Sequence, residues 1–174
     1  MSAGASVTYK KDLLMGLQKN MSELNEYVAE TGYYQGTEYP DGRGVEVAAV
    51  ATWHEFGDTQ FNVNYPERSF MRSALSENRS AIAAAIAKAM HGLTSGKLKP
   101  GPAMAIVARV QARAIYKKLM SATSWAAPLA DSTVAAKGHA RVLVETELLR
   151  NSLTWRVRRG DRIVAQGRAK NVKG

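Results

Sequence analysis

Apolar residues recur at steps of three and four near the start of the chain. Leu14, Leu17, Met21, Leu24 and Val28 fall on one stripe, which predicts an amphipathic helix over 10–30, ended by Thr31-Gly32. The pattern then shortens. GYYQGTEY, the turn PDGRG and the run VEVAAVATWHEF read as two strands joined by a Gly-rich hairpin. In the second of these Val45, Val47, Ala49, Ala51 and Trp53 share a face, while Glu46, Ala48, Val50 and Thr52 alternate with them, so that strand is expected to be covered on both sides. Residues 57–65 form a polar loop, and Pro66 suits the first turn of a second helix with Met71, Leu75, Ile82, Ile86 and Ala89 as its buried stripe and Gly92 as its close.

The segment LTSGKLKPGP reads as a linker, because its glycines and prolines do not continue a helix. A third helix is predicted over 103–120, with Met104, Val107, Ala108, Ile115 and Leu119 on one side and Arg109, Arg113, Lys117 and Lys118 elsewhere. The long stretch SATSWAAPLADSTVAAKGHARV, mostly small residues, reads as a functional loop or a segment ordered by a partner. After a short helical turn, a strand carries Leu153, Trp155 and Val157 on one face and Thr154, Arg156 and Arg158 on the other; Arg159-Gly160-Asp161 turns it, and 162–166 returns beside it. The order α, ββ, α, α, ββ predicts an α+β fold: a small antiparallel sheet of two hairpins packed against about three helices, with a long loop and a basic C-terminal tail. One domain is expected over 1–174, with flexible ends at 1–9 and 167–174.

Composition narrows the possibilities. The 174 residues, 45% apolar and 22% charged, suffice for a core without disulfides or a structural metal. The absence of cysteine excludes disulfide scaffolds, Cys-based zinc sites, iron–sulfur clusters and thiol catalysis. No stretch approaches the roughly 20 apolar residues of a membrane span, and MSAGASVTYKKDLLMGLQKN lacks an apolar signal region, so the chain is expected to be made and kept in a cytoplasm. Charge is uneven: residues 1–96 hold 8 basic and 11 acidic residues, and residues 97–174 hold 16 basic and 4 acidic ones. The positive half suits a polyanion or an acidic protein surface.

Candidate chemistry is sparse. His54 alone among the three histidines has an acidic neighbour; HEFGD lacks the second histidine of a zinc-protease helix, and on a strand His54 and Glu55 would point to opposite faces. No Walker loop, G-x-G-x-x-G or G-x-S-x-G motif is present, so no enzyme, metal or cofactor is expected. Arg156, Arg158, Arg159 and Arg162 on the last hairpin, with Arg168, Lys170 and Lys173 beyond, form a candidate face for the phosphates of nucleic acid or for an acidic partner.

Two stretches resemble one known family. In VAAVATWHEFGDTQFNVNYPERSFMRSAL, Ala51, Glu55, Phe56 and Gly57 followed by Pro66, Arg68, Phe70 and Arg72 resemble the Ala-x-x-x-Glu-Phe-Gly strand end and the Pro-x-Arg-x-Phe helix start of tailed-bacteriophage neck and tail-completion proteins, the minor-tail-protein-Z or virion-morphogenesis group. In STVAAKGHARVLVETELLRNSLTWRV, Lys137, Gly138, Leu143, Val144, Glu145, Thr146, Leu148 and Ser152 are similar to that family's second block. Glu147 stands where the family usually has glycine, and Ser69 where a second proline is common. The likeness covers about residues 10–165.

The resemblance implies a virion protein of the head–tail junction without catalytic residues, which completes the tail or connects it to the neck. Its expected partners are copies of itself, in a ring that is hexameric or matches the tail's symmetry, other neck and tail proteins through 57–65 and 121–142, and non-specifically the genomic DNA in the channel; no membrane is involved. Its motif residues define the fold first and form interfaces second, with Glu55 and Arg68 as a possible ion pair. The alternatives are a tail terminator capping the tail tube, or a sequence-independent DNA-binding protein.

Overall fold

The computed structural model describes residues 3–40, 44–57, 66–131, 134–135, 138 and 147–172. Among these are seven α-helices and one three-stranded antiparallel sheet, so the architecture is α+β as predicted. The elements run α1 (Ala3–Leu24), β1 (Tyr27–Gly32), α2 (Val47–Phe56), α3 (Met71–Glu77), α4 (Arg79–Thr94), α5 (Pro100–Met120), α6 (Ala122–Trp125), α7 (Leu148–Ser152), β2 (Thr154–Arg159) and β3 (Arg162–Arg168), closed by a 3₁₀ turn at Ala169–Asn171. No helix among the described residues is long and apolar enough to cross a membrane.

The sheet differs from the expected pair of hairpins. Only β2 and β3 form a predicted hairpin, and its central strand β2 pairs on the other side with β1, in the order β1-β2-β3. The register sets Ala29, Val157 and Ala165 on one face and Glu30, Arg156 and Gln166 on the other. β1 occupies residues that the periodicity assigned to the first helix. That helix stops at Leu24 because Tyr27, Val28 and Thr31 favour extended backbone and find a ladder partner in β2. As a result the predicted stripe is not a core stripe: Leu17 and Leu24 are half-buried, whereas Leu14, Met21 and Val28 are exposed.

The run VAAVATWHEF is α2 rather than a strand. Alanine is the best helix former, and Val47, Ala51 and Glu55 recur every four residues as the buried side of this helix. Ahead of it the chain does double back, with Tyr39 N–H donating to Val45 C=O at 2.9 Å and an antiparallel bridge between Glu38 and Glu46. The turn residues 41–43 lie outside the described residues.

The predicted second helix starts at Met71 and is divided at Asn78, whose side-chain amide donates to the carbonyl of Ala74 at 2.8 Å. Its buried side in α4 is Ala85, Ala89 and Leu93, while Ile86 is exposed. The chain passes Gly92 without ending the helix, and the expected linker is a short turn, since Pro100 already occupies the first position of α5.

α5 is the spine. Small residues, Ala105, Ala108 and Ala112, let neighbouring elements approach closely, while Ile115 and Leu119 fill the wider end. β1 and β2 lie across it with Trp155 and Val157 facing in, and Thr31 Oγ1 donates to the carbonyl of Ala108 at 3.1 Å. Phe70 and Leu153 are wholly buried in the same core. Of the end expected to be flexible, 167–172 are built into the fold: β3 reaches Arg168, and Ala169, 2% exposed, donates its N–H to Leu153 C=O at 2.8 Å.

Two backbone positions are conformationally demanding. Gly57 ends α2 at φ 73 and ψ 164, a region open essentially to glycine alone. Glu147 starts α7 at φ 56 and ψ −5, in the left-handed region where a side chain is disfavoured. Gly57→Ala is therefore expected to destabilise the protein by about 1–3 kcal/mol, whereas Glu147→Gly raises stability by up to about 1 kcal/mol by relieving the left-handed side chain. Thermal and urea unfolding of both variants checks these opposite signs.

Candidate functional site

The first motif block is a physical unit. The carboxylate of Glu55, 4% exposed at the end of α2, accepts from the N–H groups of Met71 at 2.8 Å and Arg72 at 2.9 Å, the first two residues of α3. It thus satisfies donors that the helix itself leaves unpaired and places negative charge at the positive end of the helix. Ser69 Oγ donates to the same carboxylate at 2.9 Å and Arg72 Nε at 3.0 Å. Arg72 extends the link through its Nη2 to Glu55 C=O at 2.8 Å and to Glu67 at 2.7 Å.

Arg68, expected as the partner of Glu55, does something else. Its backbone N–H donates to His54 C=O at 2.7 Å, and its buried side chain reaches the carbonyls of Ala127 at 3.0 Å and Pro128 at 3.2 Å. Guanidinium donors in a fork suit two successive carbonyls. Burial pushes this guanidinium below its ordinary pKa. Glu55 and Arg68 therefore do not pair, because Arg68 turns inward to hold the stretch after α6 while Arg72, on the exposed side of α3, takes the carboxylate.

The other residues of the block divide between core and surface. Phe70 is completely buried, with its ring edge-on to Tyr33 at 6.2 Å. Phe56 is 61% exposed, with the Arg72 guanidinium 4.6 Å from its ring centre. Pro66 is exposed. His54 and Glu55 are neighbours on a helix rather than on a strand, and among the described residues no group of three His, Asp or Glu is placed to hold a metal.

Of the second block, Lys137 and Thr146 lie outside the described residues, as do Leu143, Val144 and Glu145. Gly138 adopts φ 69 and donates its N–H to Val134 C=O at 2.9 Å. Leu148 opens α7 and packs on the main core, and Ser152 is buried. In the long loop, Trp125 closes α6 by donating Nε1–H to Lys118 C=O at 2.9 Å. Of the loop 57–65 only Gly57 is described.

The arginine face lies on the side of the sheet away from α5. There Glu30 takes Arg156 Nε at 2.5 Å and Arg158 Nη2 at 2.7 Å, so one carboxylate serves two guanidiniums. These hydrogen bonds, from Arg158 first and then Arg156, hold the Glu30 carboxyl below its ordinary pKa. Arg159 pairs with Glu26 at 2.7 Å, whereas Arg162 at the hairpin tip is exposed and makes no ion pair among the described residues. Arg168 donates to Ser152 C=O at 2.8 Å and Thr154 Oγ1 at 2.9 Å. Glu26 and Glu30 went unnoticed as partners of the hairpin because their segment reads as helix; alternation over Tyr27–Gly32 was the available signal.

No family model matches the chain, and no curated protein or solved structure matches it.

Glu55→Ala strands the first amides of α3 and is expected to cost about 3 kcal/mol, against less than about 1 kcal/mol for Phe56→Ala; urea denaturation compares the two. The stability Glu30 contributes is complete above its unfolded pKa, about 4.3, and is lost as pH falls through its lower folded value. Glu30→Gln flattens that acid limb, which a series of denaturation curves across acid pH measures.

Proposed function

We propose that this chain is a non-enzymatic structural subunit of a tailed-phage virion, acting at the head–tail junction to complete the tail or connect it to the neck. The observation that carries this reading is the mutual lock of the first motif block. Glu55 caps the helix that follows Pro66, Arg68 and Phe70, so residues recognised only as a sequence pattern have a shared physical purpose. The second block agrees in one particular: Glu147, at the position where the family usually has glycine, holds the left-handed backbone that glycine favours. In this reading the buried motif residues build a rigid body, and assembly uses its exposed surface, Phe56 included.

Exposed apolar side chains suit such contacts. Phe56 borders the loop 57–65, and Ile163 and Val164 lie on the outer edge strand β3, each more than 40% exposed. A ring of identical subunits would seat such patches against a neighbour's surface, with the acidic first half and basic second half of the chain supplying complementary charge. The role as tail terminator uses the same surfaces at a different place on the particle.

Immunogold labelling of intact virions, tails and heads, together with particles assembled without this chain, tests the reading. Label at the neck, with unjoined heads and tails in its absence, is expected. Label confined to the tail end, with tails of irregular length in its absence, would assign the terminator role, and no label on any particle would overturn both.

A further inference from the structure

The arginine-rich half of the chain leaves two adjoining clefts on either side of Arg168. One, of about 510 Å³, is lined by Tyr34, Thr154, Arg156, Arg168 and Asn171 among others, and the second, of about 380 Å³, by Arg109, Trp155, Arg168 and Asn171 among others. Among the described residues no carboxylate lines either cleft. Arg109 and Arg168 pair with no acidic group among the described residues, and Arg156 shares Glu30 with Arg158, so the strip keeps net positive charge.

We propose that these clefts form one track for the phosphodiester backbone of nucleic acid, engaged without regard to sequence. Guanidinium, hydroxyl and amide donors side by side are the groups that contact phosphate oxygens in protein–DNA complexes. Two clefts sharing Arg168 and Asn171 suit successive anionic groups on one chain better than an isolated ion. The aromatic rings are already covered: the Arg156 guanidinium lies 3.5 Å from the centre of Tyr34, and that of Arg109 lies 4.7 Å from Trp155. A guanidinium already lies over one face of each ring, which favours contact to the backbone over stacking of bases. The predicted DNA face is thereby moved: Arg158 and Arg159 line neither cleft, while Arg109, on α5 and outside the hairpin, joins it. The track does not depend on where the chain sits in a virion.

Fluorescence anisotropy of the full chain with a labelled mixed-sequence DNA duplex, over a salt series, tests this. Binding is expected to weaken as salt rises; Arg168→Gln and Arg109→Gln should each reduce affinity about tenfold and the salt slope by about one. Arg162→Gln removes the same charge at the hairpin tip, outside both clefts, and is expected to cost about threefold or less. Arg109 makes no hydrogen bond to the sheet, so its variant carries the test if Arg168→Gln lowers the melting temperature. No duplex binding at low salt would overturn the track. Equal losses for all three variants would reduce it to diffuse charge, and displacement of the duplex by polyglutamate of matched charge would assign the clefts to an acidic protein instead.

Discussion

A single carboxylate holds together the two segments on which the fold's middle depends. Glu55 lies at the end of one helix and serves as the cap of another, across a stretch whose own sequence supplies no cap: the residue before α3, Phe70, makes no side-chain hydrogen bond to it. A charge this buried is tolerable because four hydrogen bonds meet it, from Ser69 Oγ, two backbone amides and Arg72 Nε. With the carboxylate in place, Arg68 is aimed inward to the carbonyls of Ala127 and Pro128, and Phe70 drops into the core. Three regions distant in sequence are thus tied by polar contacts whose geometry a simple apolar contact would not specify.

The sheet has a corresponding division of labour. Its inner face is apolar and lies on α5, which fixes the strands by burial. Its outer face carries Glu30 between Arg156 and Arg158, and there the ion pairs do more to align side chains than to stabilise, since such partly exposed pairs are worth little. The positive charge of the second half is consequently not a uniform coat. Part of it is paired within the fold, with Glu26, Glu30, Glu77 and Glu147, whereas Arg109 and Arg168 meet no acidic group among the described residues.

The final hairpin was legible because β2 alternates and a Gly-Asp turn follows it, although the register shift at Val157/Arg158 and the extension of β3 to Arg168 were not; α5 was legible because a long 3.6-residue pattern has few competing readings. α2 was not, since VAAVA satisfies either period and only the burial of Glu55 every fourth residue from Val47 distinguishes them. β1 was hidden because Val28 falls four residues after Leu24 and extends the helical stripe by coincidence; its pairing with a strand more than 120 residues later is a tertiary fact. The candidate site was legible as a set of residues and not as a set of contacts. Arg72 rather than Arg68 meets Glu55 because the path from 57 to 66 decides which arginine faces the carboxylate, and local sequence does not encode that path.

The most direct test of the lock is native-state hydrogen exchange at the amides of Met71 and Arg72. The first amides of a helix ordinarily exchange as freely as exposed ones. If Glu55 joins the two segments as described, both amides exchange only with global unfolding, at the same free energy as the core amides of α5. Exchange at the rate of an exposed loop would contradict the lock and, with it, the physical basis given to the motif.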